Sequence, residues 1–212
     1  TKAFRRDDGG LFLFRPQENA IRMQIGARML ECACLAVFLL TILNAVKQLL
    51  SPTARWGKGL CISGLCSWES GPVLGLAPAS EYTFLVYASP VGNYFKEGTA
   101  ALNLYVEDEF HRAARGGAGG IKSITNYAPV LKAIARARDR GFSDVLYLDS
   151  VNKRNIEEVS SCNVFILKGN ILSTPATNGT ILAGVTRKSI IDIAHDLGYE
   201  RLVVVFEEVL GA

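Results

Sequence analysis

From Ala101 onward the chain alternates between two incompatible apolar periods, and that alternation limits its architecture more than any other feature. "ALNLYVED" has strand character, "NYAPVLKAIARARDRGF" has helical spacing and is closed by Gly141, and "DVLYLD" is again a compact apolar strand. "CNVFILKGNILSTP" follows as two strands around Gly169-Asn170, the reverse of the favoured hairpin dipeptide. "VTRKSIIDIAHDLGY" is then an amphipathic helix ended by Gly198, and "ERLVVVF" a last strand. Strands interleaved with helices specify an α/β or mixed α+β fold.

The first half is less regular. "LFLFRP" (Leu11 to Pro16) is expected to be a strand stopped by proline, and Asn19 to Leu30 a helix with Asn19 at its cap. A second helical stretch through "LLTILNAVKQLL" ends before Pro52. No element can be drawn through the Gly- and Ser-rich "RWGKGLCISGLCSWESG". A β-rich run from Glu81 meets Pro90 and Gly92, which places a domain boundary near Val91 and divides the chain into residues 1–91 and 92–212.

With 49% hydrophobic residues, the 212-residue chain can bury a real core. The net charge of +3 is dispersed, so no nucleic-acid stripe is present and no nucleic-acid partner is expected. The apolar run Cys32 to Leu43 is shorter than the ~20 residues a bilayer crossing needs, so it predicts a buried helix and no membrane partner. Five cysteines without a C-x-x-C pair or a neighbouring histidine give neither a disulfide framework nor a zinc site and suit a reducing compartment. No metal is expected.

The chemistry concentrates in "GGAGGIKSITNYA", Gly116 to Ala128. A P-loop needs its lysine directly after the last glycine, and Ile121 intervenes before Lys122. A second reading is a solvated lysine after a flexible loop. A third takes in the neighbours: Tyr127 five residues on, the acidic pair Glu157-Glu158 on a β-rich segment, and "GTILAGVTRKS" opening a helix behind a glycine. Together they suit an aldehyde cofactor with a phosphate and a basic ring nitrogen. A lysine supplies the imine, a helix N-terminus holds the phosphate, and a carboxylate keeps the ring protonated. That cofactor is pyridoxal 5'-phosphate.

Read in order, "TKAFRRDDG", "LFRPQENAIRM", "APASEYTFLVYASPVGNYFKEG", "GGAGGIKSITNYAPVLKA", "SDVLYLD", "EEVSSCNVFILKGN" and "GTILAGVTRKSIID" resemble the branched-chain amino acid aminotransferases. These are pyridoxal-phosphate enzymes of fold type IV, and the wording is closest to plant members. The resemblance covers nearly the whole chain. It implies a small and a larger α/β domain with the cofactor at their interface, in a homodimer. It also implies a plastid or mitochondrial setting, with the cytoplasm as the alternative.

Carried over position by position, the resemblance makes Lys122 the Schiff-base lysine that also moves the substrate proton. Tyr127 becomes the partner of the cofactor's phenolic oxygen, and Glu158 the carboxylate facing the ring nitrogen. Arg22 resembles the arginine on the cofactor phosphate, a planar donor suited to that group. Val185 and Thr186 match the positions whose backbone amides meet the same phosphate, and Ser161 the small residue beside the cofactor. Tyr94 resembles a pocket-lining tyrosine. Leu74 and Leu76 belong to the "LGL" that reaches into the partner subunit's pocket in this family.

The implied reaction is transfer of the amino group of Leu, Ile or Val to 2-oxoglutarate by a ping-pong course. Three departures stand against it. The family's "LYIRP" reads "LCISG" here, putting Cys61 and Ser63 where a tyrosine and an arginine are expected, and the "GLFEG" and "GTA" segments of the pattern lie outside these 212 residues. The alternative expectation is therefore an impaired relative that binds the cofactor or pairs with full-length subunits.

Overall fold

The computed structural model describes residues 1–30, 44–48, 59–72, 74–75, 77–92 and 100–204, with the side chains of 59–70, 90, 201–202 and 204 left out. The chain divides into two compact units, Thr1–Gly98 and Thr99–Ala212.

The first unit is built on an antiparallel sheet of order β2-β1-β3-β4, from β1 (Lys2–Arg5), β2 (Leu11–Phe14), β3 (Gly59–Ser70) and β4 (Glu81–Val91). β1 and β2 form a hairpin whose turn is closed by the Arg6 amide donating to Gly10 O at 2.9 Å, with Gly9 at φ 84°. That left-handed conformation is costly for any residue with a Cβ. Along β4, burial alternates: Phe84, Val86 and Ala88 pack on Ala3, Ala20 and Val46, whereas Leu85 and Tyr87 face outward. Period two is the expected signature of a sheet with one covered face.

Two sequence expectations change here. Helix α1 spans Pro16–Met29 rather than starting at Asn19, because the proline ring's fixed φ suits the first helical position, where no N–H bond is needed. Asn19 lies inside α1, its amide donating to Arg15 O at 3.0 Å. The Gly- and Ser-rich segment that suggested no element contains β3, twelve residues long. Its strand character comes from pairing with β1 on one side and along the full length of β4 on the other, not from its own composition. The apolar run 32–43 lies outside the described residues; residues 44–48 of the second expected helix are helical. No described helix is long and apolar enough to cross a membrane.

The second unit carries two three-stranded sheets. In one, β5 (Leu104–Glu107) runs parallel to β6 (Asp144–Leu148), and β6 pairs antiparallel with β7 (Ile156–Val159). Helix α2 (Ala128–Asp139) covers it through Val130, Ala133 and Ala137, at helical spacing, against Val145 and Tyr147. In the other, β8 (Ile166–Lys168) and β9 (Ile171–Pro175) form the expected hairpin with Gly169 at φ 58°, and β10 (Glu200–Val204) joins β9 in parallel. Helix α3 (Val185–Asp196) links them and ends before Gly198, at φ 80°. This strand–helix alternation is the mixed α/β fold read from the sequence.

Candidate active site

The glycine stretch has a packing role. A Cβ at Gly119 would lie 2.7 Å from the carbonyl oxygen of Thr180 and one at Gly120 3.1 Å from that of Gly179, so two loops touch backbone to backbone. Glycine is what allows this approach. Asn126 ties the end of the glycine loop, its amide donating to Ala118 O at 2.7 Å and Ile121 O at 2.9 Å. The loop delivers buried Ile121 to the interior and leaves Lys122 exposed. A 3-10 turn at Ile124–Asn126 then brings Tyr127 back, so that Lys122 Nζ donates to the Tyr127 hydroxyl and sits 4.4 Å from the ring centre.

Glu158 lies on β7 and is 3% exposed. Its Oε1 is ion-paired with Arg112 Nη2 and accepts the Leu182 amide at 3.1 Å; its Oε2 accepts the Asn163 amide at 3.1 Å. Burial pushes the carboxyl up to about 7, against the pull of Arg112, the Leu182 amide and the more distant Lys122, and with the push of Glu157. The adjacent Glu157 is likewise raised by burial, and it accepts the Thr180 hydroxyl at 2.6 Å. The two neighbours thus both tie β7 to the segment 180–182, and Thr180 is also the residue on which Gly119 closes.

Asn163 connects this carboxylate to α3. It donates to Leu182 O at 2.9 Å, and its Oδ1 occupies the space a Cβ on Gly184 would fill. Gly184 is the N-cap of α3 and supplies no side-chain cap, leaving the first-turn amides of Val185 and Thr186 without the usual side-chain acceptor. A helix start of this kind can accept an anion, because its amides and dipole favour negative charge. Val185 is buried, Thr186 and Ser161 are exposed, and the Ser161 hydroxyl is 3.7 Å from Cys162 Sγ.

Among the predicted residues, Lys122, Tyr127, Glu158, Ser161, Val185 and Thr186 lie in the second unit, where the glycine loop meets residues 179–180 and Asn163 links Glu158 to the start of α3. Arg22 is on α1 in the first unit, its guanidinium donating to Asn19 Oδ1 at 3.2 Å. Leu74 is fully exposed, and Tyr94 and Leu76 lie outside the described residues. The sequence reading missed Arg112, Asn163 and Thr180. Arg112 stands among His111 and Arg115 in "HRAARGG", where nothing in the pattern distinguishes the residue that turns inward.

A buried carboxylate, a lysine paired with a phenol and a helix N-terminus without a side-chain cap make a donor set that suits pyridoxal phosphate, so the residues fit that group. The comparisons define the class. The family described as Amino-transferase class IV matches residues 4–207. The branched-chain amino acid aminotransferase of Escherichia coli shares the fold at a TM-score of 0.83 and 23% identity, over 98% of this chain and 67% of that one. The chain belongs to the class IV aminotransferases and has their fold type IV architecture. Within the family it is 62% identical over 204 residues to the chloroplastic branched-chain-amino-acid aminotransferase 2 of Arabidopsis thaliana, 94% of this chain and 52% of that protein. It is 55% identical to the mitochondrial branched-chain amino acid aminotransferase 1 of Humulus lupulus, over 98% of this chain and 54% of that protein. The chain thus spans about half the length of these relatives.

Proposed function

We propose that this chain carries the catalytic lysine of a branched-chain amino acid aminotransferase, which transfers the amino group of Leu, Ile or Val to 2-oxoglutarate with pyridoxal phosphate as its cofactor. The observation that carries the reading is the arrangement around Glu158: a buried carboxylate on β7 held by Arg112, Asn163 and the Leu182 amide, in the same unit as the Lys122–Tyr127 pair and linked through Asn163 to the segment that starts α3. The names of the similar plant proteins support the substrate class.

When bound, pyridoxal phosphate supplies an aldehyde that takes up the amino group and a ring that withdraws electrons from the substrate Cα. Lys122 Nζ would hold the cofactor, and the same amine, when free, is the base that would carry the substrate Cα proton. The Tyr127 hydroxyl, already bonded to Nζ, binds the phenolic oxygen and orients the lysine. Glu158 keeps the ring nitrogen protonated, a role for a carboxylate fixed by three donors. The Val185 and Thr186 amides would hold the phosphate, and by their resemblance to the family's positions Arg22 is assigned to the same group and Ser161 to the cofactor's surroundings. Tyr94, Leu74 and Leu76 are assigned to the substrate side by the same resemblance, the two leucines in the setting of a homodimer. The setting is a plastid or mitochondrion, as the names of the plant relatives suggest. An impaired relative is the weaker reading, because every residue proposed to hold the cofactor is kept.

The test is a single turnover. Chain loaded with pyridoxal phosphate is mixed with L-leucine, and the 2-oxo acid released is quantified against D-alanine and against Lys122→Ala. One equivalent from leucine and none from the other two is the expected result. Intact binding of the cofactor with no oxo acid from leucine would select the impaired reading.

A further inference from the structure

A second set of buried polar groups, on β5, β6 and the residue after β7, is not used by the proposed chemistry. Glu107, at the end of β5, is 1% exposed; its Oε1 accepts the Glu109 amide at 2.9 Å and the Phe110 amide at 3.2 Å. Its register partner on β6 is Tyr147, also 1% exposed. Paired residues of adjacent parallel strands project from the same side of the sheet. Burial pushes the Tyr147 phenol up to about 12, with the Ser160 hydroxyl acting in the opposite direction. The phenol is therefore a neutral hydroxyl throughout the physiological range.

Five buried atoms from these residues have no hydrogen-bond partner among the described residues: Glu107 Oε2, Arg112 Nε, Arg112 Nη1, the Tyr147 hydroxyl and Ser160 Oγ. Arg112, 8% exposed, spends only Nη2 on Glu158 and on Gly119 O, the latter at 3.5 Å. A guanidinium carries five donors, and burying them unpaired is expensive. The remaining set is complementary: two charged N–H donors, a carboxylate acceptor and two hydroxyls that can do either. Polar clusters of this composition are where internal water is held.

We propose that Glu107, with Tyr147 and Ser160, holds the far side of the Arg112 guanidinium through buried water and so acts as a positioning residue that keeps Arg112 on Glu158. The proposal rests on the reading of Glu158 as the ring-nitrogen carboxylate for its catalytic meaning, but not for its geometry. The other charges acting on Glu158 are Glu157, which opposes its ionisation, and Lys122, which favours it. Without Glu107, Nε and Nη1 lose the acceptor that the bridging water supplies, the guanidinium turns away from Glu158, and Glu158 loses the charge that favours its ionised form.

The direction of that effect separates the proposal from simple background electrostatics. In the cofactor-free protein, carbon-13 carboxyl resonances of labelled glutamates are followed against pH in wild type, Glu107→Gln and Tyr147→Phe, with Glu158→Gln to assign the signal. If Glu107 holds Arg112, Glu107→Gln raises the Glu158 midpoint by roughly one unit, and Tyr147→Phe, which keeps the ring and its packing, raises it by less. If Glu107 contributed only a negative charge, its removal would lower the midpoint. A lowered or unchanged midpoint in the folded variants overturns the proposal, and should Glu107→Gln fail to fold, Tyr147→Phe decides alone. Adding pyridoxal phosphate afterwards tests the other reading separately: a Glu158 signal indifferent to the cofactor would count against its role at the ring and leave the Arg112 result standing.

Discussion

The two units bury different things. In the first, Ala3, Ala20 and Val46 make an apolar centre under one face of a sheet, and its other face exposes Phe4, Phe12, Leu85 and Tyr87. In the second, apolar packing of α2 on β5 and β6 is joined by every polar or charged residue that is buried as a whole among the described residues, including Glu107, Arg112, Glu157 and Glu158. Burying charge costs free energy that burying alanine or valine does not. A fold keeps such groups where their chemistry or geometry is needed, which separates a scaffold-like unit from one whose interior is part of the site.

The contrast can be broken most severely at Arg112. Arg112→Met leaves Glu158 buried without its counter-charge and should lower the stability of the whole chain by about 3–5 kcal/mol in denaturant unfolding. A loss under 1 kcal/mol would mean that the pair is not the anchor of the second unit. The next effect is in pH. Glu158 titrates near 4.5 when unfolded and at about 7 when folded, so the folded state holds its proton longer. The stability this contributes is fully present below pH 4.5 and is lost as pH rises to about 7, a fall of about 3 kcal/mol at 1.36 kcal/mol per unit. Glu158→Gln should flatten that part of the stability–pH curve, and an unchanged slope would assign it to other groups.

Smaller effects sharpen the comparison. Gly119→Ala forces two backbones apart and should cost about 1–3 kcal/mol, while Gly75→Ala in the first unit, where a Cβ meets nothing within 4 Å, should leave the unfolding midpoint in place. Val46→Ala, removing two methyl-sized groups from a fully buried position, should cost roughly 1.5 kcal/mol by the same amount at pH 5 and pH 8, the mark of an apolar core.

What could be read from the sequence follows the same division. In the second unit, α2 and α3 were legible because helical spacing and the closing glycines Gly141 and Gly198 agree, and the Gly169-Asn170 hairpin because turn chemistry is local. β3 was not legible, since its strand state is imposed by β1 and β4 from positions distant in sequence. Pro16 follows the end of β2, as expected of a strand stop, and also opens α1 earlier than the Asn19 cap would; both uses follow from the same fixed φ. At the site, Lys122, Tyr127 and Glu158 stand in distinctive local wording. Arg112, Glu107 and Tyr147 acquire their meaning only when β5 and β6 pair and the glycine loop folds back, and residue type alone carries no trace of that.

Lys122, set by the glycine loop and its phenol, is the residue proposed to hold pyridoxal phosphate. The most direct measurement is to incubate the chain with the cofactor, reduce with borohydride and map the labelled peptide by mass spectrometry, in wild type and Lys122→Ala. The account predicts one pyridoxyl group on the peptide containing Lys122 and none in the variant. A label on another lysine, or an unlabelled but folded wild type, would contradict it.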